Sequence, residues 1–91
     1  MLPVIWRQTA REDLAKLLRH IALEDPQAAR RLKARLESVV LPLSEHPYLY
    51  RVGEVPGTRE IVAHPNYVVV YRVAVDRVDI VNILHARQEY P

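Results

Sequence analysis

From Leu14 to Leu43 the apolar residues recur every three or four positions; from Ile61 onward they fall in dense β-branched runs. The first spacing belongs to helices and the second to strands. Leu14, Leu17, Leu18, Ile21 and Ala22 form one helical stripe, and Ala29, Leu32, Leu36, Val39 and Leu43 form another. Each would cover one side of a helix and bury it against a neighbour. Thr9-Ala10-Arg11-Glu12 reads as a capping box, with Thr9 and Glu12 satisfying free N–H groups at a helix start. The first helix is therefore expected over residues 10–23. Asp25-Pro26 ends it and begins the second, since Asp suits the N-cap and Pro the first helical position. Pro42 would clash with the carbonyl of Ser38, so the second helix should stop near Val40. So short a connection makes the two an antiparallel hairpin.

Residues 57–87 are the stretch around which the rest is organised. Runs rich in Val, Ile and Tyr at 61–62, 68–73 and 78–84 are separated by His64-Pro65-Asn66 and by Asp76-Arg77. Breaks this short are tight reversals, and they give an antiparallel meander of three strands. Residues 2–6 form a short apolar run ahead of the helices; Pro3 lacks the N–H a central strand donates, which fits an edge strand. Residues 44–57 hold Pro47, Pro56 and both glycines, and read as a loop with a short extended piece around 48–52. An even-numbered turn at 64–66 places Arg59, Ile61 and Ala63 with Val68, Val70 and Arg72. Glu60 and Val62 then share the other face with Tyr67, Val69, Tyr71 and Val73. The tyrosine face is expected to meet the helices, because that leaves Arg59, Arg72 and Arg87 in solvent. On the last strand His85 and Arg87 share a face, about 6.6 Å apart at strand rise. The expected fold is α+β in two layers, β-α-α-β-β-β: a short N-terminal strand and an antiparallel helix hairpin packed on a twisted antiparallel sheet, as one domain over residues 1–91.

Composition narrows the chemistry. At 91 residues, 49% of them apolar, the chain is near the small end of single-core domains. It has no cysteine, hence no disulfide or thiolate–metal framework. No apolar run approaches the roughly 20 residues of a membrane-spanning helix, and residues 1–13 do not resemble a signal peptide. A cytoplasmic location without a membrane partner is the expectation. The formal charge of +2 suits acidic protein or nucleic-acid partners. Arg30, Arg31, Lys33 and Arg35 stand on the second helix against Glu37 alone. Such a run is either a solvated face or a contact surface for an acidic partner. No His/Cys cluster, glycine-rich phosphate loop or Ser–His–Asp arrangement is present, so neither a metal nor a cofactor is expected.

The order β-αα-βββ, the segment Gly57-Thr58-Arg59-Glu60-Ile61-Val62, the strand Asn66-Tyr67-Val68-Val69-Val70-Tyr71-Arg72 and the closing Ile83-Leu84-His85-Ala86-Arg87-Gln88 resemble the RelE/ParE superfamily. These are toxins of bacterial type II toxin–antitoxin modules. The resemblance implies a small toxin that pairs with a cognate acidic antitoxin, with a hetero-oligomer of the two as the expected assembly. RelE-like members cut messenger RNA in the ribosomal A site with basic residues on the sheet and often a C-terminal tyrosine or histidine. ParE-like members lack most of these and poison DNA gyrase. Two basic positions of the RNases fall here on Ile61 and Val68, while His85-Ala86-Arg87 resembles the His-x-Arg of ParE-like toxins. The departures favour ParE and a toxin that acts by binding. The competing readings are a ribosome-dependent endoribonuclease and a non-toxic basic interaction domain.

RNA cleavage through the 2′-hydroxyl needs a base, an acid and cations around the pentacoordinate phosphate. Were the chain a nuclease, Arg59, His85, Arg87 and Tyr90 would carry that chemistry, His85 moving a proton and the arginines clamping phosphate. Arg59, Arg72, His85, Arg87 and Tyr90 are also the residues expected to meet the target. Arg30, Arg31, Lys33 and Arg35 are expected to meet the antitoxin. The ordinary structural alternatives are a His that merely ends a strand, and Arg59 and Arg72 paired with Glu60, Asp79 or the C-terminal carboxylate. His64 in the turn is assigned no role.

Overall fold

The structure, a computed structural model, describes residues 1–86. Its elements are β1 (Val4–Trp6), α1 (Gln8–Ala22), α2 (Pro26–Val39), a 3₁₀ turn at Leu41–Ser44, β2 (Arg51–Val52), β3 (Arg59–His64), β4 (Tyr67–Val73) and β5 (Val78–His85). The strands form one sheet in the order β1-β5-β4-β3-β2. Strands β2 to β5 run antiparallel to one another, while β1 lies parallel to β5 with Val4 opposite Val78 and Trp6 opposite Ile80. The sheet is thus mixed rather than wholly antiparallel. The helix hairpin carries the chain to the far edge, and the meander walks back until β5 arrives beside β1 in the same direction. Pro3 is tolerated at this edge, and its carbonyl accepts from the Val78 N–H at 2.8 Å.

Asp25 caps α2 as its sequence predicts: its carboxylate accepts from the Ala28 N–H at 3.0 Å, with Pro26 at the first helical position. The helix ends at Val39, and the 3₁₀ turn carries the chain through Pro42. The capping box at Thr9 does not form. Helix α1 begins two residues earlier than expected, at Gln8, and its N-cap, Arg7, gives no side-chain bond. The Thr9 hydroxyl instead donates to the Val81 carbonyl of β5. A tertiary acceptor has displaced the local one.

Both helical stripes face the sheet. Leu32, Leu36, Val40 and Leu43 are sealed against Ile61, Val69, Tyr71, Val78 and Ile80, with Leu14, Leu17, Leu18 and Ile21 packed at the margin. Helix α1 lies over β5 and α2 over β3. The tyrosine face does meet the helices, but its β3 members are Ile61 and Ala63, not Glu60 and Val62. Ile61 stands opposite Val69, and the ladder slips between Val62 and His64 so that Ala63 is an extra, bulged residue. That insertion reverses the parity read from the turn. Arg59 accordingly belongs to the helix side and is half-buried, whereas Arg72 is exposed on the other face.

A second bulge interrupts β5. Val70 pairs with Asn82 but Tyr71 with Ile80, leaving Val81 unmatched. The strict alternation expected for β5 therefore breaks, with Val78 and Ile80 in the core before the slip and Ile83 after it. The ring of Tyr71 is fully buried, and its hydroxyl donates to the Pro47 carbonyl at 2.9 Å. Burial pushes its pKa above the ordinary 10.0.

Candidate functional site

Each bulge is gripped by a helix. The extra residue of a bulge leaves its backbone groups outside the ladder, so a side chain can claim them. Arg35 of α2 donates through Nε to the Ala63 carbonyl at 2.7 Å. Asp13 of α1 accepts through Oδ2 from the Ile83 N–H at 2.9 Å and from Asn82 Nδ2 at 3.1 Å, beside the Thr9 bond to Val81. Sequence periodicity gave no sign of these contacts. A polar residue on an otherwise apolar stripe, as Asp13 is beside Leu14 and Leu17, is the signal that could have found one of them.

Past the bulges the sheet ends in an aromatic row. His64 lies 5.4 Å from the Tyr67 ring, and Tyr67 meets His85 edge-on at 5.5 Å. His64, left without a role in the sequence, is half-buried, and its Nδ1 accepts from the Asn66 N–H at 3.0 Å. Between this row and α2 opens a cleft of about 370 Å³ that Arg31, Arg35, His64, Asn66 and Tyr67 line.

The other end of the sheet holds Arg59. Its Nη1 donates to the Tyr50 carbonyl at 2.8 Å, and its guanidinium lies over the Tyr48 ring at 4.9 Å. It pairs with neither Glu60 nor Asp79; those carboxylates take Arg51 and Arg77. Arg72 donates to the Pro56 carbonyl at 3.3 Å. That loop closes at Gly57, where φ is +82° and a Cβ would stand 2.7 Å from an Arg72 nitrogen. Arg59 pairs across β4 at Tyr71 and His85 at Tyr67. Four residues along the strand and two strand spacings across put their Cα atoms roughly 16 Å apart. Ile61 is sealed beneath the helices and Val68 is buried too. Arg87 and Tyr90 lie outside the described residues.

The four cations of α2 do not share one surface. Arg31 and Arg35 line the cleft, whereas Arg30 and Lys33 border a groove between the helices with Arg19 on the facing side. This groove, about 470 Å³, has a floor of Ala15, Leu18, Ala22 and Ala29 and runs on towards Trp6 and Arg11. Lys33 also reaches Glu37 at 3.5 Å, a solvent-exposed pair. Among the described residues no three His, Cys, Asp or Glu side chains gather to hold a metal ion. None of the described helices is long and apolar enough to cross a membrane.

The chain is thus a helix hairpin latched to one face of a five-stranded mixed sheet, with cations at both sheet ends and along the hairpin. The family of ParE toxins of type II toxin–antitoxin systems matches residues 4–90, and the chain belongs to that family. Two relatives agree. A candidate toxin, Y4kP of Sinorhizobium fredii, is 37% identical over 87 residues, spanning 94% of this chain and 90% of its own length. The toxin RelE2 of Caulobacter vibrioides is 37% identical over 86 residues, spanning 94% of this chain and 97% of its own. In fold the chain is similar to a chain of the chromosomal ParDE system of P. aeruginosa, with a TM-score of 0.83 and 24% identity over 93% of this chain and 96% of that one. It is similar also to HP0894 from Helicobacter pylori, with a TM-score of 0.60 and 20% identity over 99% and 100%. The protein is the toxin of a type II toxin–antitoxin module, and an antitoxin is its partner.

Proposed function

We propose that this toxin arrests growth by binding DNA gyrase and is not an efficient ribonuclease. The observation that carries this reading is the dispersal of the candidate catalytic groups. Arg59 and His85 stand at opposite ends of β4, and Arg59 is committed to the Tyr50 carbonyl. A phosphoryl-transfer site needs its proton carrier and its cations around one phosphate. Ile61 and Val68, where the resemblance expects RNase cations, are apolar and buried. Loss of one preorganised donor typically costs on the order of 10²–10³ in rate, so two missing cations leave little catalysis. Gyrase is a cytoplasmic target, and we place the toxin there.

The antitoxin is assigned to the groove between α1 and α2. Its apolar floor and its rim of Arg11, Arg19, Arg30 and Lys33, against Glu37 alone, fit an acidic amphipathic segment that orders on binding. The test of function is expression without the antitoxin, followed by gyrase supercoiling and ribosome-bound mRNA assays side by side. Inhibited supercoiling with intact messages is the expected result. Codon-specific cuts that vanish in His85→Ala or Arg87→Ala, with supercoiling unaffected, would replace this reading with the endoribonuclease.

A further inference from the structure

Arg31, Arg35, His64 and Tyr67 line the cleft between α2 and the β3–β4 turn. We infer that it takes a small organic phosphate, a phosphate monoester on an aromatic body such as a mononucleotide presents. The inference goes beyond toxicity through a protein target and does not depend on it.

Among the described residues the charge at the cleft is uncompensated. Arg31 and Arg35 are one helical turn apart, which places their Cβ atoms about 6 Å from each other on the same side of α2. Among the described residues neither is in an ion pair with a carboxylate, and none of those that line the cleft is acidic. Arg35 is held by its Nε bond to Ala63, so its two terminal nitrogens stay available in a fixed plane. Fixing a guanidinium beforehand reduces the entropy lost when it binds an oxyanion. His64 also lines the cleft. Its Nδ1 accepts from the Asn66 N–H, so Nε2 carries the hydrogen. Two guanidinium groups and an N–H, with no acceptor charge among them, match the tetrahedral dianion of a phosphate monoester better than a carboxylate with one charge and two oxygens.

The rest of the cleft is shaped for more than an anion. Its volume of about 370 Å³ lies within the range of small-molecule sites and well above what inorganic phosphate fills. Tyr67, braced by His64 on one side and His85 on the other, offers a fixed aromatic wall, and Leu32 supplies an apolar one. A ring stacked on Tyr67 with its phosphate towards α2 would use both halves.

The test is calorimetric titration of the purified chain at low salt with AMP, inorganic phosphate and the acidic dipeptide acetyl-Glu-Glu-amide. AMP should bind more tightly than either of the others. Arg31→Gln, at an exposed position, should keep the fold and weaken AMP by about tenfold, the loss of one charge-assisted contact. Lys16→Gln, an equal change of charge on α1, should leave AMP binding unchanged. Equal AMP affinity in Arg31→Gln and the native chain would overturn the site, as would an equal loss in Lys16→Gln or no AMP binding at all. Inorganic phosphate binding as tightly as AMP would refute the aromatic half. A dipeptide that binds more tightly than AMP would give the cleft to a protein segment.

Discussion

Replacing Asp13 by Ala should loosen the end of β5 more than its half-buried position suggests. The carboxylate accepts two bonds, from the Ile83 N–H at 2.9 Å and from Asn82 Nδ2 at 3.1 Å, both next to the bulge at Val81. Hydrogen bonds to a charged acceptor contribute about 1.5–3 kcal/mol each, and a donor left unsatisfied retains its desolvation cost. Water can reach part of this site, which reduces the sum. We expect a net loss of about 2 kcal/mol, which in a domain of this size lowers Tm by roughly 8–16 °C. Asp13→Asn keeps one acceptor and should lose about half as much. Urea unfolding gives the stability change, and amide hydrogen exchange at Ile83 reports the local one. The Ile83 amide should exchange faster by more than the global loss explains. A change below about 0.5 kcal/mol, with Ile83 still protected, would show that the bond to α1 does not hold the bulge.

Three further expectations follow from the same geometry. Leu36→Ala, at a fully buried position between α2 and the sheet, should cost about 3 kcal/mol in urea unfolding; a loss under about 1 kcal/mol would refute the core as described. Burial raises the Tyr71 pKa, so the folded state keeps a proton that the unfolded chain releases above pH 10.0, the ordinary value; the Tyr71 contribution to stability should be level below that pH and lost above it, so that stability falls less steeply there in Tyr71→Phe. Arg30→Glu with Lys33→Glu should weaken the antitoxin complex by about tenfold at low salt and less at high salt, and an unchanged affinity would remove the electrostatic part of the groove assignment.

The hydropathy pattern carried the layer arrangement but not the register. Two stripes of helical period and three β-branched runs were enough for a hairpin on a sheet, because burial of one face is decided locally by spacing. Asp25-Pro26 and Pro42 marked the helix limits for the same reason: backbone chemistry there has no tertiary competitor. Thr9 did have one, in Val81, seventy-two residues away in sequence. Side-chain parity failed at Ala63 and Val81, since one inserted residue moves every following side chain to the other face and composition does not mark it. The candidate site suffered from the same slip. Strict alternation points Arg59 towards solvent, whereas it lies on the helix side, and His64 and Tyr67 belong to a cleft that the bulge at Ala63 brings together with Arg35.

An apolar core holds two helices against a sheet without fixing where along it they sit. Burial is non-directional, and leucines accept several neighbouring positions at little cost. The bulges remove that freedom. Ala63 on β3 offers a carbonyl to Arg35 of α2; Val81 and Ile83 on β5 offer a carbonyl and an N–H to Thr9 and Asp13 of α1. One latch therefore sits under each helix, on opposite sides of β4. Because hydrogen bonds weaken steeply with distance and angle, the pair sets the hairpin's position more narrowly than packing does. The consequence reaches the surface. With Arg35 pinned, the direction of α2 about its axis is set, and the residues one position apart, Arg30 and Arg31, diverge by about 100° in a helix of 3.6 residues per turn. One turns to the groove between the helices and the other to the cleft above Tyr67. A single basic helix thereby presents two separate cationic surfaces, and an acidic segment seated in the groove would leave the cleft open.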